Sequence, residues 1–172
     1  ISAGSIFISG FLLDAKLTPP YKLSGIDARV VGSEATARGV NSTVAADSLK
    51  IADGGVIRTN LFHAAPGTAG NIKIEADVIE IATGGQIYAT SFRGTGNSGD
   101  ITIGANSMTI SGFGRSSSTY PVPDFTGLST TTNAGRGGTI NVALADDLSL
   151  RSRGGISAET RGIGLGGAIN IE

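Results

Sequence analysis

The side chains able to do chemistry in this 172-residue chain are few, and they do not converge. The one histidine, His63, stands beside Phe62. A metal centre takes three or four imidazole, thiolate or carboxylate ligands at close spacing. A lone histidine in a chain without cysteine cannot supply that set, so His63 reads as structural or solvated. No metal or cofactor is expected. Polysaccharide cleavage needs two carboxylates converging on one bond, or acids gathered round calcium beside a base. Glu80 aligns with Lys50, Thr109 and Ser149, and Asp100 aligns with Asn71, Thr139 and Ala168. The best acidic row is Asp47, Asp77 and Asp146 or Asp147, and Asn106 or Ser107 interrupts it. Aspartate just before a strand commonly accepts backbone N–H bonds. No serine lies in G-x-S-x-G, and the calcium nonapeptide is missing. No catalytic residue is assigned, and the reading is non-enzymatic. A fragment of a carbohydrate-active β-helix enzyme, lyase-like or hydrolase-like, is the alternative.

Two short motifs ask for a ligand. Gly94 to Gly99 spells G-x-G-x-x-G, the loop that cradles a pyrophosphate. That fingerprint requires a strand before it and a helix after it. Here the strand pattern Asp100-Ile-Thr-Ile103 follows, and the spelling recurs at Gly162 to Gly167 ahead of Ala168-Ile-Asn-Ile171. Both copies read as return corners, with glycines expected at φ > 0. Asn41-Ser42-Thr43 spells a glycosylation acceptor, a pattern frequent by chance.

The elements that position these residues come from a repeat. Asp47-Ser-Leu-Lys-Ile-Ala-Asp-Gly-Gly-Val-Ile57 matches Asp77-Val-Ile-Glu-Ile-Ala-Thr-Gly-Gly-Gln-Ile87 at an offset of 30, and Asp147 to Ile156 is a third copy. A G-x-I-x-I element recurs at Gly70, Gly99, Gly138 and Gly167. One unit therefore has three short strands: G-x-I-x-I, then L-x-I (Leu49/Ile51, Ile79/Ile81, Met108/Ile110, Leu148/Leu150), then G-G-x-I (Ile57, Ile87, Ile156). Each alternates apolar with polar, so Lys73 must face water if Ile72 and Ile74 face a core. Two or three inward side chains per strand bury too little alone, and stacking copies supplies the rest. The fold class expected is all-β: a right-handed parallel β-helix with three strands per coil and about four to five coils. Residues 1–172 read as a single such segment. Phe62 and Phe92, at equivalent positions, are expected to stack. Residues 28–46 fit less well, because Ser42 stands where Ile72 would be.

Two insertions interrupt the repeat, at residues 10–25 and 112–127. Ile8 is followed by Ile26, and Ile110 by Leu128, after 18 residues in place of 6. The insertions hold Phe11, Tyr21, Phe113, Tyr120 and Phe125, the candidate ligand- or partner-binding residues. Solenoid insertions project from one face, often the binding face.

Composition bounds the partners. Lys plus Arg number 13 against 14 Asp plus Glu, so there is no basic stripe for nucleic acid. No apolar run approaches a membrane span, so membrane insertion is not expected. The chain opens without a signal-peptide pattern and stops inside a strand pattern, as expected of a piece of a longer protein.

The stretch "GNIKIEADVIEIATGGQIYATSFRGTGNSGDITI" resembles the repeats of filamentous-haemagglutinin-like exoproteins, the secreted partners of bacterial two-partner secretion systems. The resemblance runs from about residue 44 to 172. It implies a long right-handed β-helix, secreted or on the bacterial surface, working in adhesion or as a stalk. It implies glycans or cell-surface proteins as partners, and an outer-membrane secretion partner. The Asn-Pro motifs read by that transporter are not found in this stretch, so the piece resembles shaft and not secretion domain.

Overall fold

The structure, a computed structural model, describes residues 1–9, 25–30, 37–62, 67–92, 95–112 and 126–172. The described residues form strands β1 (Ser2–Ser9), β2 (Gly25–Val30), β3 (Ala37–Arg38), β4 (Ser42–Ala52), β5 (Val56–Leu61), β6 (Gly67–Thr68) and β7 (Ile72–Ala82). They continue with β8 (Gln86–Ser91), β9 (Ile101–Ser111), β10 (Thr126–Thr132), β11 (Thr139–Leu144), β12 (Leu148–Arg151), β13 (Gly154–Thr160) and β14 (Ala168–Ile171). No helix occurs among them.

Every strand pairing among the described residues is parallel. A seven-stranded sheet runs β1-β4-β7-β9-β11-β14, with β12 also on β9. A five-stranded sheet runs β13-β10-β8-β5-β2, and β3 pairs β6 in a two-stranded sheet. The chain passes from the large sheet to the five-stranded one, and after β2 and β5 through the two-stranded one, before returning to the large sheet.

The repeat fixes the register. Ile8, Ile51, Ile81, Ile110 and Leu150 stand in one column of the large sheet. Ile72, Ile101, Ile140 and Ile169 make another, and Ser42 keeps its place beside Ile72. Ile26, Ile57, Ile87, Leu128 and Ile156 make the column of the five-stranded sheet. These columns meet in one core, where Ile51, Ile81, Ile87, Ile110 and Leu128 are fully buried. Burying each isoleucine or leucine contributes about 1.5–3 kcal/mol, so the stack gains with every copy added.

The first two strands of a unit differ from expectation by running together. Ile72/Ile74 and Ile79/Ile81 lie on one strand, β7, and only the last copy splits them into β11 and β12. The buried positions change parity across exposed Asp77, from 72 and 74 to 79 and 81. An unchanged alternation would send one pair to solvent, so the strand turns its second half inward at the aspartate. Lys73 is exposed, as its alternation requires.

Threonines inside the core join the five-stranded sheet to the return corners. Thr59 Oγ1 donates to the carbonyl of Gly70, and Thr130 Oγ1 donates to that of Gly138 at 3.0 Å. Asparagine and aspartate form an outer ladder at the start of the large strands. The amide of Asn71 donates to Asn41 Oδ1, that of Asp100 to Asn71 Oδ1, and that of Thr139 to Asp100 Oδ1, at 2.7–2.9 Å.

Candidate functional site

The site begins at the turn between the large and five-stranded sheets. In two copies this turn is Asp53-Gly54 and Thr83-Gly84, all four at positive φ (52°, 79°, 44° and 83°). A left-handed φ is strained for β-branched threonine, and side-chain bonds hold it. Thr83 Oγ1 donates to Asp53 Oδ1 at 2.8 Å and accepts from the Asp53 amide at 3.0 Å.

Both insertions stand where other copies make this turn. Ser111 pairs with Ala82, and Gly127 pairs with Gln86, so the interruption falls between positions in register with those that flank the Thr83-Gly84 turn. Likewise Ser9 pairs with Ala52 and Gly25 with Val56. The base of the second insertion is closed on its neighbour. The Thr83 amide donates to the Ser111 carbonyl at 3.1 Å, and the Gly84 amide donates to Thr126 Oγ1 at 2.8 Å. The two bases lie three strand steps apart on one edge, along Ile8, Ile51, Ile81 and Ile110. Three steps span about 14 Å. Asp53 and Thr83, both exposed, lie between them. The five insertion aromatics, Phe11, Tyr21, Phe113, Tyr120 and Phe125, fall outside the described residues, as does His63.

A second polar group escaped the sequence reading. Strands β5, β8 and β10 are buried at every position, so their outward residues are not solvated as alternation suggests. Arg58 donates through Nη1 to Tyr88 Oη at 2.9 Å and through Nη2 to Asp27 Oδ2. Burial alone would lower the Arg58 pKa, but the Asp27 hydrogen bond and the pull of Tyr88 outweigh it and hold the guanidinium above its ordinary value. Burial pushes the Tyr88 phenol up, against the opposing pull of Arg58. Asn60 helps the ionised phenol, yet neither of its amide atoms reaches hydrogen-bonding geometry with a partner. Arg58 Nε is also unpaired. In sequence these residues look like ordinary outward positions of an alternating strand. Only the burial of both faces sets them apart.

The acids stay spread along the stack. Glu80 stands between Lys50 and Thr109, and Lys50 Nζ meets its two oxygens at 2.7 and 2.8 Å. Asp47 and Asp77 are exposed at the strand bend, and the Asp146 amide donates to the Asn106 carbonyl in that row. No group of three or more potential metal ligands gathers among the described residues. Phe62 and Phe92 stack, with centroids 5.2 Å apart and planes at 22°.

From Thr95 to Gly99 the glycine motif is a return corner followed by β9. Neither Gly96 nor Gly99 has positive φ, contrary to expectation. A Cβ on Gly96 would sit 2.7 Å from Leu61 Cδ2, and one on Gly99 would run into the Gly70 carbonyl. Close approach of backbones selects glycine here, while positive φ falls at the turns after the large strands.

No family model, no curated protein and no solved structure matches this chain.

Proposed function

We propose that this chain is a non-enzymatic shaft segment of a right-handed parallel β-helix, in a secreted or surface-attached bacterial exoprotein of the filamentous-haemagglutinin-like kind. Each circuit of the chain is one coil, and its apolar columns stiffen the rod. The two insertions are its recognition elements, with Phe11, Tyr21, Phe113, Tyr120 and Phe125 as contacts for glycans or cell-surface proteins.

The observation that carries this reading is the unbroken register across both interrupted copies. Ile26 and Leu128 stand in one column with Ile57, Ile87 and Ile156, although each follows an insertion. The stack accepts added chain at one turn without changing its core. Such a turn is a place where binding segments can vary while the scaffold stays constant.

The test replaces residues 112–125 with Thr-Gly and compares binding to a glycan array and to intact epithelial cells. Loss of binding by a folded variant supports the second insertion as a recognition element. Unchanged binding overturns that assignment. Incubation with polyuronides should release no unsaturated or reducing ends, and release would replace the shaft reading with an enzymatic one.

A further inference from the structure

We draw no further inference here: the strongest candidate, the buried polar outer face of the five-stranded sheet around Arg58, Asn60 and Tyr88, holds unpaired hydrogen-bonding atoms, but nothing in the structure shows what covers it.

Discussion

The amide of Thr83 is bonded to the carbonyl of Ser111, the last strand residue before the second insertion. Its neighbour Gly84 bonds Thr126, the first residue of β10, near that insertion's other end. One two-residue turn therefore holds both ends of the longer segment, so that segment's length is decoupled from the stack.

Replacing residues 112–125 by Thr-Gly should restore the turn of the preceding copy. Closing a shorter loop costs less entropy, by up to about 2 kcal/mol on the logarithmic scaling of loop closure. Urea unfolding should show stability held or raised by that much. A cooperative transition lost altogether would mean that the insertion is needed for the stack.

The column beside Thr59 offers a gain. Thr59, Ala89 and Thr130 are neighbours across the five-stranded sheet, and Ala89, between the two threonines, lacks the hydroxyl with which each of them reaches a glycine carbonyl in the return corner. Ala89→Thr should let that hydroxyl bond the carbonyl of Gly99. The expected gain is about 1 kcal/mol by denaturant titration. A loss would show that the fully buried position has no room for the larger side chain.

Inward and outward neighbours on β7 should respond differently to truncation. Ile81 is fully buried between Ile51 and Ile110, so Ile81→Ala should cost about 2–5 kcal/mol. Glu80 pairs with Lys50 while both side chains are nearly half exposed, at 41% and 46%. Glu80→Ala should cost at most about 1 kcal/mol. Thermal unfolding of the pair measures this contrast, and equal losses would contradict the assigned faces.

Burial raises the Tyr88 pKa, so the folded state favours the protonated phenol. The stability it contributes is whole below the unfolded value of about 10 and is lost as pH rises through the folded one. The native protein should therefore weaken above about pH 10, and Tyr88→Phe should weaken less steeply there. At neutral pH that variant loses the bond from Arg58 Nη1, at a cost of about 1–2 kcal/mol. Urea midpoints from pH 7 to 11 would check both parts, and parallel pH curves would refute the linkage.

The offset of 30 and the alternating isoleucines determined, by themselves, which residues share a column. Side-chain period and copy spacing leave a parallel stack one register that buries every apolar pair. The same pattern made Lys73 exposed, placed Glu80 beside Lys50, and equated Ile26 with Leu128 across insertions of equal length. It also predicted that Phe62 and Phe92 would stack. Three matters were decided only by the tertiary structure. The first two strands fuse through a bend at Asp77, because an aspartate in sequence does not announce a change of parity. Gly99 is required by a neighbouring copy's carbonyl and not by its own φ, a condition that exists only once the copies are in contact. Arg58, Asn60 and Tyr88 are buried on the outward face of their sheet, although alternation alone assigns them to water. Alternation reports which face of a strand a residue occupies. Whether that face meets solvent is decided by the tertiary fold, and local sequence carries no record of it.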